Sequence, residues 1–293
     1  MQPLRWCGGA AAIPVLRLLG FCKRGHCKCP GSAQVEAGAA MADYRILTAG
    51  DTAIVVEFGD SIDRGLNAIV LALARRLDES RLPGLIETIP TFRSLTVFYE
   101  PVVLSRAALE THVAGIVHEL GTTPGGGRRW RLPVCYDPEM APDLNDVAAR
   151  TGLTPAQVVE RHSGVRYHVY MLGFLPGLAY MGDVPPELEL PRLVSPRHKI
   201  PAGMLGIAMA MSLIMPRETP SGLNLIGRSP VAMWRPSDTS GAGESTLLAP
   251  GDTVVYQPIS LREYEVLAAQ AAAGELDLVP EQEPAAERTG GAA

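Results

Sequence analysis

The sequence predicts an α+β and mainly-β protein, with a small N-terminal α+β sandwich followed by a β-barrel or sandwich. Three observations lead there. Between Tyr44 and Leu120 the apolar pattern runs strand, strand, helix, strand, strand, helix, which suits helices packed on one face of a small sheet. The run Thr122-Thr123-Pro124-Gly125-Gly126-Gly127 holds no regular structure at low cost and reads as a linker. From Gly173 to Pro258, short apolar runs are broken repeatedly by Pro and Gly, the pattern of many short strands joined by turns.

Each element has its own signal. Tyr44–Leu47 and Ala53–Phe58 are strand-like and flank the turn signal Ala49-Gly50-Asp51. Ile69, Val70, Leu73 and Leu77 recur at helical spacing within 67–77, with Arg75 and Arg76 on the other face. Ile86–Pro90 and Ser94–Tyr99 read as strands, and 104–120 as a helix with Ser105 as a plausible N-cap. Past the linker, Arg129–Val134 is strand-like, and 143–151 and 155–163 are short helices. Thr154 caps the second of these, with Pro155 at its first position. Tyr167–Leu172 is a strand, and 261–272 is a closing helix. The expected organisation is a disordered or mis-started extension over 1–42, an α+β domain over 43–121, a barrel domain over 128–272 and a flexible tail over 273–293.

Composition narrows the function. The chain has 293 residues, 47% apolar and 19% charged, with a formal net charge of −5. That balance argues against a broad nucleic-acid-binding surface, and 5% aromatic content leaves few platforms for stacking bases. No apolar run is long enough for a transmembrane helix. Four of the five cysteines lie in the first forty residues, at Cys7, Cys22, Cys27 and Cys29, so the body has no disulfide framework, which fits a cytoplasmic protein. The same forty residues carry five basic side chains against one acid. They read as a tail without a fold, an export or targeting segment across Ala10–Leu19, or a zinc site of Cys22, Cys27, Cys29 and His26. The zinc spacing matches no paired C-x-x-C arrangement, and no metal is expected.

Phosphate-cradling motifs and nucleophile elbows are absent. The densest chemistry is Gly173-Phe174-Leu175-Pro176-Gly177-Leu178-Ala179-Tyr180. Two glycines and a proline impose a tight path after a strand, so the loop either aims backbone N–H groups at an anion or merely turns a barrel corner. The stretch 191–203 sets Arg192, Arg197 and Lys199 among prolines, which suits a carboxylate or phosphate or is a solvated basic loop. Arg228 offers another cation beside the turn Ser229-Pro230. His162, near a helix end, is a candidate proton shuttle or a simple cap. Cys135 reads as a small core residue.

Taken together, these segments resemble the family of the 5-oxoprolinase B-subunit, allophanate hydrolase subunit 1 and the sporulation kinase inhibitor KipI. The likeness runs through Leu47-Thr48-Ala49-Gly50-Asp51-Thr52-Ala53, Ile89-Pro90-Thr91-Phe92-Arg93-Ser94-Leu95, Leu132-Pro133-Val134-Cys135-Tyr136-Asp137 and Arg161-His162-Ser163. It continues through Leu172-Gly173-Phe174-Leu175-Pro176-Gly177, the 191–203 stretch, Ile226-Gly227-Arg228-Ser229-Pro230 and Ala249-Pro250-Gly251-Asp252. It covers roughly 44–260, in order. The resemblance implies a cyclophilin-like barrel, partner subunits of the A and C types, a small amide substrate, and opening of 5-oxoproline to glutamate with ATP and magnesium used by the complex. No cofactor is expected on this chain alone.

Under that resemblance, Gly173, Phe174, Pro176, Gly177, Tyr180, Arg197, Lys199 and Arg228 are the expected substrate- or anion-binding residues, and His162 is the candidate catalytic group. Two segments depart from the family pattern. Where members carry Gln-Thr-Gly-Ile-Tyr-Pro, this chain has Met211-Ser212-Leu213-Ile214-Met215-Pro216. Where they carry Ser-Pro-Gly-Gly-Trp, it has Thr219-Pro220-Ser221-Gly222-Leu223. Apolar groups thus replace ones that could hold an amide. The alternatives are an allophanate-hydrolase-related subunit with an altered substrate, or a KipI-like inhibitor of a sensor histidine kinase.

Overall fold

The computed structural model describes residues 43–120, 126–235 and 246–281. The first forty residues, with their possible metal ligands, and most of the glycine-rich linker lie outside the described residues.

The N-terminal sheet consists of β1 (Tyr44–Thr48), β2 (Ala53–Phe58), β3 (Leu85–Pro90) and β4 (Ser94–Tyr99). These strands are antiparallel, in the order β1-β2-β4-β3. Helix α1 (Arg64–Ser80) follows β2, and α2 (Arg106–Glu119) follows β4. Strand alternation turns Ile54, Val56, Phe58, Leu95 and Val97 to one face, where they meet Val70, Leu73 and Leu77 of α1 and Leu109 and Val113 of α2. Helix α1 starts earlier than its apolar spacing suggests. Asp63 accepts the Gly65 and Leu66 N–H groups at 2.7 and 3.1 Å and fixes the first turn. Ser105 caps α2 as expected, accepting the Ala108 N–H at 3.3 Å.

The rest of the fold is a closed barrel. Strand β5 (Arg129–Cys135) leads to α3 (Leu144–Thr151) and α4 (Pro155–Ser163), which Thr154 opens with a capping box. Then come β6 (Tyr167–Leu172), β7 (Ala179–Gly182), β8 (Arg197–Ile200), β9 (Met204–Ala208), β10 (Met211–Ile214), β11 (Thr219–Ser221), β12 (Asn224–Arg228), β13 (Thr253–Ile259) and α5 (Leu261–Ala273). The barrel order is β10-β7-β6-β13-β5-β12-β9, and β9 pairs with β10 to close it. Strand β13 runs parallel to β5, and the other neighbours are antiparallel. Closure removes exposed sheet edges and lets side chains such as Leu132, Val169, Leu205 and Val254 fill the interior.

Strands β8 and β11 form a separate two-stranded ribbon. A satellite apolar cluster joins Ile200 of this ribbon to Met204, Ala208, Leu213 and Leu223. The small α+β sandwich and barrel expected from the sequence are therefore both present. Residues 274–281, expected as flexible tail, lie against the barrel instead. Glu281 pairs with Arg131 at 2.7 Å and donates its backbone N–H to the Arg129 carbonyl, while Leu276 and Leu278 pack on the barrel core.

Sandwich and barrel pack together through Asn67 of α1, which is fully buried. Its amide nitrogen donates to the carbonyls of Thr91, Phe92 and Tyr170 at 2.9, 3.1 and 3.2 Å, and its oxygen lies 2.8 Å from His168 Nε2. Arg64 adds bonds to Asp183 and to the Arg166 carbonyl.

Candidate functional site

Strands β7 and β10 divide their side chains between two environments. Met181 and Ser212 point into the barrel, while Tyr180, Met211 and Leu213 point out. The outward set forms the floor of a cavity of about 530 Å³, roofed by the β8–β11 ribbon through Pro196, Pro220 and Ser221. Met215 and Leu223 complete an apolar wall. Phe174 and Met209 stand at the mouth, 78% and 59% exposed. Both have left-handed backbones, φ 67° and 52°, a conformation that costs a residue with a Cβ about 1 kcal/mol or more.

The cation at this cavity is Arg192. Its backbone is held on either side: the Pro191 carbonyl accepts from Asn224 Nδ2 at 3.1 Å, and the Leu193 N–H donates to the Gly222 carbonyl at 2.8 Å. Among the described residues the Arg192 guanidinium has no ion pair or hydrogen bond. Arg192 lay within the basic stretch singled out by sequence, but its lack of a partner is a tertiary fact.

The structure brings Phe174 and Tyr180 to the cavity. It gives the expected anion-binding cations other partners. Arg197 pairs with Asp143 at 2.5 Å, and that carboxylate also accepts the Leu225 N–H at 2.7 Å, so the pair ties β8 to the start of α3. The other terminal nitrogen of Arg197, Nη1, is buried without a partner among the described residues. Lys199 pairs with Glu218 at 2.9 Å, both exposed. Arg228 donates to the Ala202 carbonyl and lies 5.9 Å over the Tyr264 ring.

In the Gly173–Gly177 loop, the Gly173 N–H donates to the Leu178 carbonyl and the Leu175 N–H to the Gly173 carbonyl. Pro176 has no N–H to offer. The Phe174 and Gly177 amides are left without a partner among the described residues. Gly177 has φ 76° and sits so close to Trp234 and Met233 that only glycine fits.

His162 is not brought to the cavity. It is fully buried inside the barrel, with Nδ1 2.9 Å from the Tyr136 hydroxyl and Nε2 3.1 Å from Ser212 Oγ. The ring stacks on Tyr256 at 4.9 Å. Ser212 Oγ lies 3.1 Å from the Tyr256 hydroxyl, which donates to Met181 Sδ. Burial lowers the His162 pKa to about 3, so the ring is neutral near pH 7. The same burial pushes the Tyr136 and Tyr256 hydroxyls up, and none of this network ionises in the physiological range. The expected proton shuttle is thus separated from the cavity by β10 itself. Sequence spacing could not show this, because the face that Ser212 takes depends on barrel closure.

No group of three His, Cys, Asp or Glu side chains converges on a metal-sized site among the described residues. No helix there is long and apolar enough to cross a membrane.

The family described as carboxyltransferase domain, subdomain C and D, matches residues 44–242. The 5-oxoprolinase B-subunit of Bacillus subtilis is 37% identical over 235 residues, covering 75% of this chain and 95% of the relative. That of Escherichia coli O157:H7 is 36% identical over 210 residues, covering 71% and 93%. The crystal structure of TTHA0988 superposes with a TM-score of 0.63 at 34% identity; it matches 71% of this chain, which spans only 40% of that longer one. The urea carboxylase of Kluyveromyces lactis, at 19% identity and TM-score 0.67, shares the fold. The chain belongs to the family of the 5-oxoprolinase B-subunit, allophanate hydrolase subunit 1 and KipI.

Proposed function

We propose that this chain is the B-subunit of an ATP-dependent 5-oxoprolinase-type amidohydrolase, opening 5-oxoproline to glutamate together with A- and C-type subunits in the cytoplasm and inactive alone. The observation that carries this reading is the continuous match of 34–37% identity to three proteins named as the 5-oxoprolinase B-subunit, spanning up to 95% of their length. A lactam is a poor electrophile, and ATP with magnesium would supply the chemistry that turns its oxygen into a leaving group. A triphosphate needs several cations and donors, whereas the cavity offers one guanidinium in an apolar wall. We propose that the ATP site lies in the rest of the complex.

On this chain, the Phe174 amide and Arg192 would contribute donors at the cavity. Tyr180 and Phe174 would pack against the ligand. Arg197, Lys199 and Arg228 would hold the ribbon and loops that shape it, and His162 would position β10 through Ser212. The α+β sandwich and the barrel, each with its own apolar core, are proposed as separate folding domains.

A second reading is favoured by Met211 and Met215, which present thioethers where the family pattern has an amide and a phenol. It is a related amidohydrolase subunit with an altered substrate. The test is ATP-dependent 5-oxoproline opening by this chain co-purified with its cognate A- and C-type subunits. Activity in the mixture and none with the chain alone is expected. A stable complex without activity would refute the 5-oxoproline assignment and favour the altered substrate. Absence of any complex, with recovery of a histidine kinase, would favour the regulator.

A further inference from the structure

The cavity on the outer wall of β10 has a composition that a small polar lactam does not explain. Its volume of about 530 Å³ falls within the roughly 300–1,000 Å³ typical of sites for drug-sized ligands. 5-Oxoproline, one carboxylate on a five-membered lactam, could meet Arg192 but would leave most of it wet. Its walls are thioethers and branched aliphatics, from Met211, Met215, Leu213 and Leu223, which gain by covering apolar surface and gain nothing from an amide.

Phe174 and Met209 hold left-handed backbones that keep two large apolar side chains exposed at the mouth. Exposed apolar groups grouped around a cavity are the usual mark of a surface that a ligand covers.

The polar groups are few and specific. Arg192 stands at the rim with its backbone tied by Asn224 and Gly222 and its guanidinium unpartnered among the described residues. Ser221 Oγ accepts the Leu223 N–H at 3.2 Å, which leaves its own proton free to donate. One guanidinium fork balances one negative charge and matches a planar carboxylate in two parallel bonds. A phosphate dianion would leave charge uncompensated in an apolar site.

We propose that this cavity binds a carboxylate carrying an apolar body larger than 5-oxoproline, with the carboxylate on Arg192 and the body between Phe174, Met211 and Met215. This inference rests on the altered-substrate reading of the same cavity, and the binding is measured on the chain alone, apart from hydrolysis by the complex.

The three cavity methionines supply the reporters. The full chain, labelled with ¹³C at the methionine methyls, is titrated with 4-phenylbutyrate, with its uncharged amide 4-phenylbutyramide, and with 5-oxoproline. Single Met→Leu variants assign the signals. The acid should shift the methyls of Met209, Met211 and Met215 in a saturable way, and the amide should bind about five- to tenfold more weakly. Arg192→Met should erase that difference without changing the thermal midpoint, because the Arg192 side chain is exposed and makes no bond among the described residues. Arg192→Lys should keep part of it.

The proposal is overturned if millimolar 4-phenylbutyrate leaves these methyls unmoved, or if Arg192→Met binds the acid as tightly as the wild type. It is also overturned if 5-oxoproline moves them at lower concentration than the acid does. Loss of 5-oxoproline opening by the assembled complex, with acid binding intact, would refute the enzyme assignment and leave this site standing.

Discussion

Replacing His162 with glutamine removes the one imidazole sealed inside the barrel and should flatten the acid limb of the protein's stability. In the folded chain, burial holds the His162 pKa at about 3, against 6.5 for an exposed imidazole. The unfolded chain therefore takes up a proton below pH 6.5 that the folded chain refuses until about pH 3. This depressed pKa makes the stabilising contribution complete above pH 6.5 and erodes it steadily as pH falls towards 3. Linkage puts the loss between pH 7 and pH 5 at about 2 kcal/mol. Urea unfolding at both pH values, followed by the fluorescence of Trp130 and Trp234, measures it directly. The wild type should lose about 2 kcal/mol more than His162→Gln over that interval, while other histidines cancel in the comparison. Should glutamine fail to fold, His162→Phe keeps the stack on Tyr256, at 4.9 Å in the wild type, and tests the same slope. Equal slopes in wild type and variant would refute the view of His162 as a neutral, buried ring.

Other substitutions probe the same architecture. Gly177→Ala would put a Cβ 2.5 Å from Trp234 Cβ and 2.7 Å from the Met233 carbonyl oxygen, at a φ of 76°, and should lower stability by about 2 kcal/mol or more in a thermal melt. Asp252→Ala removes a buried carboxylate that pairs with Arg128 and accepts from Trp130 Nε1 at 2.9 Å and from the Ala249 N–H at 3.0 Å. It should cost about 3–5 kcal/mol in urea unfolding and shift Trp130 emission to the red. Asn67→Ala strips a donor from three carbonyls and a partner from His168. A loss of about 3 kcal/mol is expected, with faster hydrogen exchange in α1 and β6, and unchanged exchange at this junction would contradict its role as the tie between sandwich and barrel.

Much of the fold was legible in the sequence because its signals are local. The alternation of Ile54, Val56 and Phe58, the helical spacing of Val70, Leu73 and Leu77, and the caps at Ser105 and Thr154 act within a turn or a strand, so nearest neighbours encode them. The family, too, was written in short ordered segments, Leu172–Gly177 and Ile226–Pro230 among them. The tight turn after β6 was recognisable through Gly173, Pro176 and Gly177, residue types that favour such a path.

What tertiary structure alone decided is which charges are spent and which way side chains face. Arg192, Arg197 and Lys199 are alike as sequence. Asp143 and Glu218 neutralise the last two, while Arg192 keeps a guanidinium unpartnered among the described residues, because those acids arrive from distant elements. His162 and Met211 lie on opposite sides of β10 because pairing of β10 with β7, Ser212 against Met181, turns Ser212 inward and its neighbours out. Spacing along a chain fixes neither, since both depend on long-range pairing whose partners lie up to fifty-four residues apart.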